Sequence, residues 1–296
     1  MNKSYPVVCF GETLWDVLPA GRQAGGAPMN VAYHLQRLGK NPAVISRVGF
    51  DEPGKLLIET LERKGVCTEF FQVDYRKPTS VVTATLKNEQ EMSYTIAEDV
   101  AWDHIELNAD ITGLVAQTRY LVFGTLCARS RNTRNTLFAL LDAAPQKVLD
   151  VNLRPPFYDR HLLEALLNRA DIVKLSLEEL ELVTGWFSAL RHETDRMQVL
   201  KDRFGTHTII LTCGANGAII SSGDRFVKCR GIPVTVADTV GSGDAFLAAV
   251  LAKQLDGAPL EETIDFANRL AAFIVTQKGA CPDYRLTGAH HFQPSL

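Results

Sequence analysis

Apolar and polar positions along the chain follow two rhythms. Predominantly apolar runs of strand length occur at 7–10, 43–48, 119–123, 147–151, 171–175 and 207–212. Between them, apolar residues recur every three or four positions. Runs of the first kind predict strands buried on both faces, and the second pattern predicts the helices that cover them. Over 28–38, Val31, Leu35 and Leu38 share one face, Pro28 stands in the first turn and Gly39 ends the pattern. Further helices are expected over 53–64, 242–255 and 259–277, and a hairpin over 218–222 and 226–230. Strand–helix alternation of this kind predicts an α/β fold with a mainly parallel central sheet between two helical layers.

The rhythm changes between 68 and 97. Val82, Ala84 and Leu86 alternate with Thr79, Thr83 and Thr85, and Met92, Tyr94 and Ile96 alternate with Glu91, Ser93 and Thr95. Period-two alternation on both sides of Lys87-Asn88-Glu89-Gln90 predicts a half-exposed antiparallel hairpin. An insertion of this kind suits a lid over a site, a dimer surface, or both. No repeat, low-complexity tract or linker divides the chain. It reads as one domain over 1–296 with a β insertion at about 67–98.

Composition narrows the function classes. Lys and Arg number 31 against 34 Asp and Glu, a net charge of -3, and no basic run marks a nucleic-acid surface. No apolar stretch approaches membrane-spanning length, and no basic-then-apolar leader opens the chain. A cytoplasmic protein without membrane or nucleic-acid partners is expected. The six cysteines, at 9, 67, 127, 213, 229 and 281, form no paired motif, so buried free thiols are expected rather than a zinc site.

The segment richest in chemistry is Asp238-Thr-Val-Gly241-Ser242-Gly243-Asp244, followed by the apolar run AFLAAVLA. Glycines around a serine let backbone N–H groups converge, and the helix that follows adds its positive end. Beside that anion cradle, Asp244 supplies a carboxylate. Phosphoryl transfer needs both parts: donors for the moving phosphoryl group and a base for the hydroxyl proton. The same residues also suit a plain helix cap with a glycine turn, and local composition does not separate the two. A carboxylate at a helix N-terminus is readily ionised and so a weak base, an objection that a late proton transfer softens. Near the other end, Gly25-Gly26-Ala-Pro-Met-Asn30 combines close backbone approach with a side chain that both donates and accepts, which suits a polyol. A flexible loop with an asparagine in the first helical turn fits it equally. No P-loop, dinucleotide fingerprint, serine nucleophile elbow or protein-kinase catalytic loop is present.

Together the two segments resemble the paired signatures of the ribokinase-like (PfkB) carbohydrate kinases. The first runs from Gly25-Gly26 through Asn30 to Gly39, with Gly49 beyond, and the second is DTVGSGD at 238–244. The resemblance covers essentially the whole chain and implies a ribokinase-like three-layer sandwich with a small β-lid. It implies Asp244 as general base, with Gly241, Ser242 and Gly243 holding the transferred phosphoryl group. Asp16, Gly25, Gly26 and Asn30 would contact sugar hydroxyls. Asn152 and Arg154, in a segment similar to the D-x-N-x-R of fructokinases, would lie near sugar and phosphates. Thr212, Gly214 and Gly217 are similar to the family's nucleotide strand, and Asn268 falls where the family lines its adenine pocket. Glu179 stands where an N-x-x-E motif orders water around Mg2+; Ser176 replaces the asparagine. ATP and Mg2+ are thus the implied cofactors. Some relatives hold a monovalent cation such as K+ near Asp238 and Ala280, which nothing in these residues assigns.

The openings GETLWDVLP, FGTLCARS and DVNLRPPF look like fructokinases. D-Fructose is the implied substrate, with 2-keto-3-deoxygluconate and ribose as alternatives and a nucleoside kinase behind them. Arg22 would serve a phosphorylated sugar only if it left the loop surface. A homodimer through the lid is the expected assembly. A non-catalytic sugar-binding regulatory protein on the same fold is the reading from another class, and the intact Asp244 weighs against it.

Overall fold

The computed structural model describes residues 4–18, 21–88, 91–287 and 291–294. Strands are numbered along the chain. β1 (Val7–Phe10), β4 (Ala43–Gly49), β5 (Phe71–Asp74), β8 (Tyr120–Gly124), β9 (Lys147–Asp150), β10 (Ile172–Ser176), β11 (Thr208–Thr212), β12 (Ala218–Ser222) and β13 (Arg225–Cys229) form one sheet. Its order is β13-β12-β11-β10-β9-β8-β1-β4-β5. Every pairing from β5 to β11 is parallel, and only β12 and β13 run against their neighbours.

Successive side chains of a strand serve opposite faces, and the sheet uses both. Val8, Phe10, Leu121, Phe123, Val173 and Leu175 enter one core. Val7, Cys9, Tyr120, Val122, Ile172 and Ile210 enter the other. The first core is closed by α3 (Ala109–Gln117), α4 (Arg131–Ala143), α5 (Arg160–Leu167), α6 (Leu177–Gly185) and α7 (Glu193–Phe204). The second is closed by α1 (Ala27–Arg37), α2 (Glu52–Arg63), α8 (Ser242–Leu255) and α9 (Leu260–Val275). The expected three-layer α/β architecture is what the chain adopts.

Local chemistry starts these helices where they start. Asp51, Asn108, Ser130, Asp159 and Ser176 each accept a backbone N–H from the first turn of the helix they precede. α8 is buried from Asp244 through Ala252, because it lies under the sheet and against both α1 and α9. Its alanines let those neighbours approach, and an amphipathic pattern would be wrong for a helix with no wet face.

A second sheet of four strands has the order β3-β2-β6-β7, with β2 at Leu14–Leu18, β3 at Gly21–Gly25, β6 at Ser80–Asn88 and β7 at Glu91–Ile96. The expected hairpin is its second half; Glu89 and Gln90 of the expected turn lie outside the described residues. Its first half was not foreseen, since 14–25 read as loop. Conversely, Phe71–Asp74 pairs with β4 at the edge of the large sheet and so lies outside the small one, although it falls within the span assigned to the insertion. Thr79, expected on the wet face of the hairpin, is buried, bonded to Asp51 and Gly49. Beyond α9, a hairpin of β14 (Tyr284–Thr287) and β15 (His291–Pro294) packs Tyr284 and Phe292 against the second core, where no element was expected. All six cysteines are free, with Cys9 and Cys127 buried and the others partly so. Among the described residues no helix is long and apolar enough to cross a membrane.

Candidate active site

Strand order reverses at β1, with β4 on one side and β8 with its successors on the other. In open parallel sheets such a reversal leaves a crevice outside the carboxyl ends of the strands. Glu12 follows β1, Asp150 ends β9, and Lys174 and Ser176 close β10 at this edge. The predicted site residues gather around it from both ends of the chain.

Gly241 caps α8 in the left-handed region, at φ 78°. A Cβ there would also lie 2.6 Å from Ala280, so glycine is required twice over. Ser242 Oγ donates to Thr239 O (2.9 Å) and braces the turn with its side chain. Ser242 N reaches Thr239 O at 3.4 Å, whereas the N–H groups of Gly243 and Asp244, in the first helical turn, have no carbonyl of their own helix to bond and can face an anion. Asp238 ties the approach to this turn, accepting from Val240 N (3.0 Å) and Gly279 N (3.0 Å).

Asp244, in that first turn, is buried and receives a hydrogen bond from Asn30 Nδ2 at 2.8 Å. Burial lifts its carboxyl above the ordinary aspartate range, against the pull of Lys174, the Asn30 bond and Arg154. A raised carboxyl is a better proton acceptor than one at an exposed helix end, so the objection from ionisation loses force.

At the start of α1, Gly26 stands at φ 115°, and a Cβ would fall 2.3 Å from Glu12 O. Asp16 lies on β2, its carboxylate packed so closely on Gly25 of β3 that a Cβ there would come within 2.2 Å of Oδ2. Burial raises Asp16 to about 6, with Arg154 opposing. Arg154 is exposed and bonds the carbonyl of Leu153. Its charge acts on Glu12, Asp16 and Asp244 together. Asn152 takes a left-handed backbone, φ 37°, which its side-chain type tolerates and which turns the chain toward Arg154.

The residues assigned to nucleotide sit further along the same edge. Thr212 ends β11, and Gly214 and Gly217 bracket the 3₁₀ turn that follows. Asn268, on α9, donates to Arg230 O (2.9 Å) and so joins that helix to the end of β13. Glu179 has a structural task of its own: with Ser176 it forms a capping box, and its other oxygen accepts Leu153 N at 2.7 Å. Arg22 lies over the Trp15 ring, 5.4 Å from its centroid, on the surface of β3.

Three site residues were missed: Glu12, Asp150 and Lys174. Glu12 is buried, accepts Ala27 N (3.3 Å) and keeps Oε2 without a partner among the described residues. Burial first, then Asp244, push it up to about 7 against Arg154. Lys174 holds Asp150 with both oxygens, at 2.8 and 2.9 Å. Burial works against its ammonium, but Asp150, Asp244 and Glu179 outweigh that and raise it. The available signal was a lysine inside the strand run IVKLS, since an unpaired charge is not buried in a parallel sheet. A hollow of about 600 Å³ is walled by Glu98, Asp99, Asp103, His104, the start of α4 and 156–159, and none of the predicted site residues lines it.

Residues 7–285 match the model of the pfkB family carbohydrate kinases. A fructokinase from Salmonella typhimurium is 30% identical over 291 residues, which are 92% of this chain and 93% of that protein. Among solved structures, an uncharacterized sugar kinase from Pyrococcus horikoshii in complex with ATP superposes with a TM-score of 0.79 at 28% identity, covering 93% of this chain and 94% of its own. A Vibrio cholerae fructokinase holding fructose, ADP and calcium gives the same score at 24% identity, with 94% of each chain covered, a likeness of fold. With the family model spanning nearly its full length, this chain belongs to the pfkB carbohydrate kinases and is a sugar kinase.

Proposed function

We propose that the chain phosphorylates the primary hydroxyl of a free sugar with ATP, and that D-fructose, giving fructose 6-phosphate, is its substrate. The observation carrying this reading is the bond from Asn30 to Asp244 at the start of α8, which unites a polyol-binding turn, a raised carboxylate and an anion cradle. Asp244 takes the hydroxyl proton as the sugar oxygen bonds to the γ-phosphorus. The bond from that phosphorus to the β,γ-bridging oxygen breaks, and ADP leaves. Gly241–Gly243 and Arg154 face the charge on the transferred group. Asp16, Gly25, Gly26, Asn30 and Asn152 hold the sugar, and Thr212, Gly214, Gly217 and Asn268 hold the nucleotide. The fructose choice rests on the fructokinase among the relatives.

Magnesium, bound with the nucleotide, neutralises phosphate charge. Among the described residues no three metal-ligating side chains converge. The donor set therefore fits an ion held by phosphates and water, with Glu179 reaching it through water by its remaining lone pairs. K+ dependence would be read by replacing it with Na+. ATP use and six free thiols suit the cytoplasm. β7 is an open edge of the small sheet, which suits pairing of two copies through the lid; light scattering tests that.

ADP release from Mg-ATP tests the reaction across fructose, ribose, 2-keto-3-deoxygluconate, fructose 6-phosphate, adenosine and no sugar. Turnover with fructose alone is expected; turnover with another member corrects the substrate. Asp244→Asn should lower kcat by roughly 10²–10⁴ with sugar affinity retained. Silence across the panel with sugar still bound would favour the regulatory reading instead.

A further inference from the structure

Lys174 occupies a place that nothing so far uses. Its side chain is 8% exposed and carries a full charge on a strand of the central sheet. Nζ is clamped by both oxygens of Asp150 at 2.8 and 2.9 Å. The same ammonium reaches the underside of the cradle, 3.2 Å from where a Cβ on Gly243 would stand. A larger residue at 243 would push it away, so glycine there serves contact from below as well as the turn itself. A buried lysine is expensive unless its partners repay desolvation, and a partner fixed beneath an anion site is charge placed in advance of the ligand.

We infer that Lys174, clamped by Asp150 against the Gly241–Gly243 turn, is a positioning residue that keeps Asp244 in its proton-accepting form and sets positive charge beneath the phosphoryl cradle. The inference rests on Asp244 being the base. The groups facing Asp244 are Lys174 from β10, Arg154 from the 152–154 turn, Glu12 from the end of β1, Asp150 from β9 and Cys281 from the segment after α9. Glu179, from α6, acts on Lys174 and Asp150. Lys174 is first among the groups that oppose the effect of burial on Asp244.

The test compares kcat/KM against pH for wild type, Lys174→Met, Asp150→Asn and the double variant, with Asp244 followed directly by ¹³C titration of its carboxyl. Removing Lys174 disfavours the carboxylate, so the acid limb should move to higher pH, with about tenfold lost at any pH on that limb, relative to the plateau, for each unit moved. Removing Asp150 takes away a negative charge and releases the lysine toward Asp244, so the limb should move to lower pH. Opposite shifts support the inference, whereas equal losses at every pH would reduce the pair to a structural one and overturn it. The double variant leaves no orphaned buried charge; a limb lying between those of the two single variants supports the inference, and one outside that interval overturns it. An active Asp244→Asn control would instead sink the base assignment, and the carboxyl titration reads the influence of Lys174 even then.

Discussion

Asn30 Nδ2 and Asp244 Oδ2 meet at 2.8 Å across 214 positions of sequence. The bond satisfies a buried carboxylate that has no solvent to turn to, and it ties the first turn of α1 to the first turn of α8. Asn30→Leu should therefore do two things. The unsatisfied oxygen costs about 1–3 kcal/mol of stability. The lost donor favours the protonated carboxyl, so the acid limb of kcat/KM moves to higher pH. Thermal melts and a pH–rate profile read both; an unmoved limb would separate Asn30 from the base.

Gly26→Ala places a Cβ 2.3 Å from Glu12 O on a backbone at φ 115°. Backbone displacement is the only relief, so a loss of about 1–3 kcal/mol and a raised sugar KM are expected. Gly113→Ala is the control: it lies within α3 with nothing within 4 Å, and it should be neutral or mildly stabilising. Equal effects at both positions would mean that Gly26 carries no special constraint.

Glu12 makes stability depend on pH in an unusual direction. Its carboxyl is raised from 4.5 to about 7 by burial. Above pH 7 both folded and unfolded states carry the charge, and the folded state bears the cost. Below 4.5 both are protonated and the cost vanishes. Glu12→Gln should thus stabilise the protein by up to about 3 kcal/mol at pH 8 and by little at pH 4.5. Melting curves at the two values check this; an equal gain at both would point to packing instead of charge.

Closure of the small sheet over sugar predicts slower amide exchange in Ser80–Asn88 and Glu91–Ile96 when sugar binds. Because β2 and β3 belong to the same sheet, Leu14–Leu18 and Gly21–Gly25 should slow with them. Protection confined to 80–96 would mean that the two halves move apart from one another.

Most of the large sheet was legible because its inner strands are apolar-rich runs between punctuated helices, a pattern that needs no partner to be recognised, whereas β5, with the sequence FQVD at the sheet's edge, lacks that signal. β2 and β3 were not legible, since Pro19 and the glycines at 21, 25 and 26 are loop chemistry by any local measure. The strand character of β2 comes from pairing with β6, which begins some sixty residues later, and that of β3 from pairing with β2. Within the site, Asn30, Gly241 and Asp244 announced themselves by spacing. Glu12 and Lys174 act through burial and mutual charge, quantities that exist only once the sheet has brought β1, β9 and β10 side by side.

The distance along the chain between Asn30 and Asp244 also orders events in time. Ribosomes add about 5–20 residues each second, so α1 emerges on the order of ten to forty seconds before α8 exists. Throughout that interval Met29, Val31, Ala32, Tyr33 and Leu35 lack the helix that later covers them. His34 waits longer still, for Ala280 O and Tyr284 OH, each at 3.0 Å. A nascent chain with its sheet half built therefore carries a sticky helix and no cradle. It offers chaperones a target, and it spends no nucleotide until synthesis has passed the last of these contacts.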